Sequence, residues 1–287
     1  MPAEILLYGP ESMVGLGGAS NPNQNVTAQV AVAGVSGVPQ GPYALGQQLV
    51  LRDGCKFRYV SAGATTLVVG NTLQASISLT TDQNQSAAAS TTVNPFTGVA
   101  TTNGIGGAAI GLTHGGATVI ANFFAEGFAH ISVTPGGGDT YKIVSHVALA
   151  SGAATPPDVV NLWPGQSIKR ALTDTTSKVD LLSSPYSRVI QTPATLVTGV
   201  IVGVCIVPLT GASGRGNFGW VQTRGPCGVL TDNTTIVVGQ PAITSTVTAG
   251  AISLVTTTNI IVATLLGQIM RVGASAGFSC VDLRIDN

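Results

Sequence analysis

The stretch Arg52-Asp53-Gly54-Cys55-Lys56-Phe57-Arg58-Tyr59-Val60-Ser61-Ala62-Gly63 decides the fold class. Asp53-Gly54 is a dipeptide that reverses a hairpin. After it the side chains alternate, with Cys55, Phe57 and Tyr59 on one face and Lys56, Arg58 and Val60 on the other. A period of two belongs to a strand with one covered face. Gln48-Leu49-Val50-Leu51 supplies a partner strand on the other side of the turn. Downstream, Ser61-Ala62-Gly63 turns the chain, and strands are expected over 66–69 and 72–79, separated by Gly70-Asn71.

The same rhythm runs through most of the chain. Strands are expected at 119–124, 128–133, 141–144, 159–163, 178–182 and 187–190, then at 195–209, 217–224, 227–231, 234–238, 241–254, 259–266 and 278–285, with Gly, Pro, Asn and Asp between them. Short strands at close spacing argue for a barrel or sandwich rather than alternating β and α. At most one short helix is expected, with 165–172, after the strand ending at Trp163, as its best candidate. Residues 1–47 read as an extended N-terminal arm punctuated by Pro10, Pro22, Pro39 and Pro42, with one strand-like piece at 26–32. A Gly/Ala/Thr-rich loop is expected at about 80–116 within a β-rich body spanning 48–287. Val68-Val69-Gly70-Asn71 is echoed by Val237-Val238-Gly239-Gln240, a match too short to define a repeat.

Composition narrows the function. Of 287 residues, 8% are charged, and twelve basic side chains balance twelve acidic ones. Soluble domains usually carry about 25%. A chain with four lysines and no charge excess has no footprint for nucleic acid or an anionic membrane. Its mean hydropathy of +0.41 excludes intrinsic disorder. The apolar runs at 194–209 and 252–270 are β-branched and interrupted by Gly, Thr and Asn, which fits buried strands rather than membrane spans. Near-zero net charge favours association, so a permanent assembly is expected over a freely diffusing enzyme. The N-terminus has no basic region and too short an apolar run for a signal peptide. Cys55, Cys205, Cys227 and Cys280 lack metal or redox spacing and are expected to be reduced, although Cys205 and Cys227 could meet across a hairpin.

Motifs that resemble catalytic signatures fail on context. Gly273-Ala274-Ser275-Ala276-Gly277 fits the nucleophile elbow, but no histidine follows it, so a turn is expected. Gly104-Ile105-Gly106-Gly107-Ala108-Ala109, with Glu126 beyond, fits a degenerate dinucleotide fingerprint, but no helix pattern follows. His114, His130 and His146 are spaced without an acidic cluster, and no metal site is expected. Asp174 with Asp180, and Asp282 with Asp286, are expected to cap turns and solvate strand ends rather than do acid–base work. No catalytic residue, cofactor or metal is expected. Tyr8, Tyr43, Trp163 and Trp220 are the expected contact anchors, since aromatic side chains dominate buried contacts.

Several stretches carry a family resemblance. They are Asp53 to Ala64 with Leu67-Val68-Val69-Gly70-Asn71; Glu126-Gly127-Phe128 with Gly136-Gly137-Gly138-Asp139-Thr140-Tyr141-Lys142-Ile143; and Ala171-Leu172-Thr173 with Ser184-Pro185-Tyr186-Ser187-Arg188-Val189-Ile190. The last is Gly219-Trp220-Val221-Gln222-Thr223-Arg224-Gly225-Pro226-Cys227-Gly228-Val229-Leu230 with Val238-Gly239-Gln240-Pro241. From about 50 to 245 the chain resembles β-rich virion structural proteins of tailed bacteriophages, the decoration or cement proteins of capsids. The resemblance implies a non-enzymatic protein made in the host cytoplasm and bound to the outside of the virion. Its expected partners are the major capsid protein and its own copies in a homo-oligomer such as a trimer. A tail, neck or fibre component is the nearest alternative, and a polysaccharide-acting virion hydrolase using Asp174 and Asp180 a more distant one.

Overall fold

The computed structural model describes residues 5–6, 41–76, 82–88, 103–150, 152, 157–212, 214–232, 235–255, 264–274 and 277–286. Their regular structure is entirely β, and no helix occurs among them. Most of the expected arm, including the strand-like piece at 26–32, lies outside the described residues. The rest forms two compact units. The first takes 41–76 and 185–286, and the second, 82–184, is inserted between them. Each has its own apolar core.

In chain order, the first unit opens with β1 (Ile5–Leu6), β2 (Gln48–Val50), β3 (Lys56–Ser61) and β4 (Thr72–Gln74). The inserted unit contains β5 (Gln85–Ala87), β6 (Ala109–Thr113), β7 (Phe128–Val133), β8 (Thr140–His146), β9 (Asp158–Leu162) and β10 (Lys178–Leu182). These six strands close a barrel in the order β10-β5-β6-β9-β8-β7, with β7 returning to β10. Closure removes every free sheet edge. Ile110, Leu112, Ile131, Ile143, Val160 and Val179 fill the interior.

The chain then returns to the first unit through β11 (Ile190–Gln191), β12 (Ile201–Cys205), β13 (Phe218–Leu230), β14 (Pro241–Thr244), β15 (Ile252–Leu254), β16 (Leu265–Arg271) and β17 (Phe278–Arg284). The sheet order is β1-β2-β3-β13-β17-β16-β14-β15, with β12 joining β13 to β4 and β11 beyond β4. β13 is the spine, pairing with β3 over its first half and β17 over its second. Gly225-Pro226 do not end the strand: they pair in register with Leu283 and Asp282 of β17, and a bulge lies just before them, at Thr223. The register shifts between Gln222 and Arg224, and Gly225 takes φ +89°. Bulges let a strand bend and keep its pairing.

Three sequence expectations are corrected. Residues 165–172 form no helix, because their amides serve other partners. Ile168 N–H donates to Gly107 O (2.9 Å), Lys169 N–H to Tyr141 Oη (3.0 Å) and Leu172 N–H to Asn103 O (2.8 Å). Ile168 and Leu172, four apart as on a helix face, both enter the barrel core. The 80–116 segment is not simply a loop, since it supplies β5 and β6. Asn103 secures β6, its side chain accepting from Gly111 N–H (2.9 Å) and donating to Gly111 O (3.1 Å). Residues 66–69 and 119–124 are not strands. Only Leu67 and Val119 form single bridges, to Leu209 and Leu149, and turns follow each.

Candidate functional site

The expected aromatic anchors separate in the structure. Trp220 is buried on β13, with its ring centroid 5.1 Å from Tyr59 and 5.6 Å from Tyr43. Tyr59 in turn stacks on Phe218 at 5.8 Å. Trp220 is thus a core residue of the first unit, and Tyr43 is a half-buried lid on the same cluster. Trp163 follows β9 and stays exposed, with Lys142 Nζ 4.2 Å above its ring. Tyr8 lies outside the described residues.

Part of the exposed apolar surface of the first unit lies instead at one end of its sheet, while Leu196, Val200, Val247 and Leu265 are exposed elsewhere. The two echoed tetrapeptides adopt the same turn there. Asn71 N–H donates to Val68 O and Gln240 N–H to Val237 O, each at 3.2 Å. Gly70 and Gly239 sit at φ +81° and +82°, as the third position of a type II turn requires. Val68, Val69, Val237 and Val238 are 53%, 41%, 48% and 56% exposed.

Main-chain bonds fix both turns to the sheet. Gly70 O accepts from Leu230 N–H (2.8 Å), at the end of β13 where Leu230 faces Phe278 of β17. Gly239 N–H donates to Ile269 O (2.7 Å), near the end of β16. The turns therefore flank the β16–β17 hairpin tip, where Phe278, Met270 and Val272 are also exposed. Arg271 is the charged side chain among the described residues of this tip. Isolated exposed valines are ordinary, but a group of them with so little charge is a candidate contact surface.

The motifs that mimic catalytic signatures are not followed by the helix those signatures need. Gly277 leads straight into β17, where a nucleophile elbow would need a helix, and Ser275 and Ala276 lie outside the described residues. Gly107 N–H donates to Gly104 O (3.1 Å) in a turn leading into β6. Glu126 occupies a turn at φ +65°. Asp174 is exposed, and Asp180 accepts from Asn84 N–H (2.7 Å) and Ser132 Oγ (3.2 Å). Asp282 pairs with Arg284 at 3.1 Å, and Asp286 with Arg58 at 2.6 Å.

The histidines and cysteines are mostly sealed. His114 and His146 are buried in the barrel, and His130 is half-buried on β7 with Nδ1 2.9 Å from Thr140 Oγ1. Among the described residues no three His, Cys, Asp or Glu side chains form a group able to hold a metal ion. All four thiols are free, and only Cys280 is more than slightly exposed. Burial, aided by the nearby Asp53, pushes the Cys55 thiol up to about 11. Burial pushes Cys205 and Cys227 up to about 12.

The valine turns were visible in the sequence only as an echo. Each joins two valines to a glycine and an amide side chain, a pattern suited to a type II turn. No protein-family model, curated protein or solved structure matches this chain.

Proposed function

We propose that this protein is a non-enzymatic structural component of a tailed-phage virion, a decoration or cement protein on the outside of the head. The observation that carries the reading is the valine-rich end of the first unit's sheet, apolar, exposed and almost uncharged. Its partners would be the major capsid protein and further copies of this chain. The stretches that resemble phage decoration proteins point the same way, and one of them, Val238-Gly239-Gln240-Pro241, falls on this end of the sheet.

Adhesion by such a surface works through area and shape. Apolar area removed from water contributes about 25 cal/mol per Å². Covering the exposed parts of four valines and Phe278 would yield roughly 4–8 kcal/mol, before the cost of immobilising two bodies. Many weak copies on a lattice add through multivalency, so a shallow patch suffices.

The test is binding of the purified protein to undecorated heads, with copy number read by quantitative mass spectrometry. The Val69→Asp/Val238→Asp double variant should remain folded by near-UV circular dichroism and lose most of its occupancy. A chain lacking residues 1–40 should also lose occupancy, if the arm crosses to neighbouring subunits. Full occupancy by the double variant would exclude this surface. Recovery of a handful of copies per virion would favour a tail, neck or fibre position, and absence from virions would end the reading.

A further inference from the structure

One end of the inserted barrel closes over a buried polar layer. The inward face of β6 runs through Ile110 and Leu112 and continues, one residue past the strand, to His114. Asp158 opens β9 directly opposite Leu112, so it faces the same interior. Asp82 lies just ahead of β5. All three are more than nine-tenths buried.

Their hydrogen bonding is incomplete. His114 Nε2 lies 3.4 Å from Asp82 Oδ1, and Ala150 N–H donates to Asp158 Oδ1 at 3.3 Å. His114 Nδ1 and Asp158 Oδ2 are sealed from solvent and have no partner. With the Nε2 proton directed at Asp82, Nδ1 is a bare acceptor, and each oxygen of an ionised Asp158 is another. Two buried acceptors without a donor are costly. What the layer lacks is one proton.

We propose that Asp158 and His114 share a single proton, and that this proton locks this end of the barrel. Taken up from solvent onto Asp158 Oδ2 and directed at His114 Nδ1, straight or through one water, it neutralises a buried charge and gives both orphaned atoms a partner. Burial raises the Asp158 carboxyl above its ordinary value, and the opposing pull of the Ala150 amide and of His114 does not cancel this. The other titratable groups on the surrounding strands are already engaged. The Nδ1 proton of His146 on β8 points to Val147 O (2.6 Å), and its Nε2 accepts from Phe124 N–H (2.9 Å). Lys178 on β10 donates to Ser86 Oγ (2.7 Å). The described residues of 147–152 bring no titratable side chain.

The sign follows from linkage. A carboxyl raised in the folded state binds its proton more tightly there than in the unfolded chain. The lock is therefore complete in mild acid and is lost as pH rises through the raised value.

The experiment uses the full chain. The Asp158 carboxyl carbon is followed by NMR from about pH 3 to about pH 8, the range that spans ordinary and raised carboxyl titrations. Hydrogen-exchange protection at the Gly152 amide, which donates to His114 O (2.9 Å), is measured over the same range. The expected result is a carboxyl titration above the ordinary value of about 3.9, with Gly152 protection falling through the same interval. Asp158→Asn, which keeps an acceptor for Ala150 and offers His114 a permanent donor, should hold Gly152 protection constant with pH. An ordinary Asp158 titration in the wild type would overturn the proposal, and that measurement does not depend on the variant folding. Retention of the wild-type pH dependence in Asp158→Asn would overturn it as well.

Discussion

Arg58 and Asp286 form a two-pronged ion pair that fastens the end of the chain to β3. Arg58 Nε donates to Asp286 Oδ2 at 2.6 Å and Nη2 to Oδ1 at 2.9 Å, while Nη1 reaches Gly46 O at 2.8 Å. Thr223 Oγ1 adds a bond from β13 at 3.2 Å. Burial alone would raise the Asp286 carboxyl, but the bonds and charge of Arg58, with Thr223, outweigh it and hold the group below the usual carboxylate range. The stability this pair supplies is therefore present at neutral pH and lost as pH falls through the lowered value. Asp286→Asn should cost about 1–3 kcal/mol at neutral pH, the scale of a charge-assisted bond with partly buried partners. Urea midpoints should differ between variant and wild type near pH 7 and converge as pH falls through the lowered Asp286 value.

The two valine turns predict unequal costs for the same substitution. Gly239→Ala meets nothing within 4 Å and suffers only the strain of its positive φ, about 1–2 kcal/mol. A Cβ at Gly70 would also collide with the ring of Phe278. Gly70→Ala should therefore destabilise more than Gly239→Ala in chemical denaturation, and Gly70→Ala/Phe278→Ala should recover part of the difference. Equal costs would mean that Phe278 does not rest on that turn.

Thiol chemistry reads the core of the first unit. Only the thiolate attacks a disulfide reagent, and Cys55, Cys205 and Cys227 are buried with thiols raised to about 11, 12 and 12. An aromatic disulfide reagent at neutral pH should label one equivalent rapidly, at Cys280, and the other three only on unfolding. Cys280→Ser should abolish the rapid phase.

The tryptophans should part company in stability. Trp220→Ala removes the centre of the Tyr43, Tyr59 and Phe218 cluster and should cost about 3–5 kcal/mol. Trp220→Phe should cost much less, because the buried Nε1 has no hydrogen-bond partner to lose. Trp163→Ala gives up an exposed stack with Lys142, about 0.5–1 kcal/mol. Urea melts that followed the opposite order would remove Trp220 from the core.

Much of this fold was legible where one face of a strand is wet. The alternation from Cys55 through Tyr59 marked β3, and that of Lys178–Leu182 marked β10 to the residue. The signal failed where side chains are small or buried on both sides. β6 reads Ala-Ile-Gly-Leu-Thr, with four of its five residues buried, and so resembles a loop. Residues 165–172 looked helical because Ile168 and Leu172 share a core, a spacing that an irregular segment can also satisfy. The exposed valine turns were half visible, as an echo whose turn grammar was readable but whose position was not. The Asp82, His114 and Asp158 layer was invisible, since only the pairing of β5, β6 and β9 brings together residues so far apart in sequence.

The insertion of the barrel also sets the order in which the molecule can be made. All six barrel strands leave the ribosome before β11 to β17 exist, so the barrel can close while the first unit has only its opening strands. β3 must wait for β13, and the bond between Thr223 Oγ1 and Lys56 O spans 167 residues. Through that interval the apolar face of Phe57 and Tyr59 is uncovered, and ordering so distant a pairing is slow. The nascent chain is thus most prone to aggregate late in synthesis, after one half is already native, and a chaperone that shields 48–76 until β13 emerges would raise yield more than one acting on the barrel.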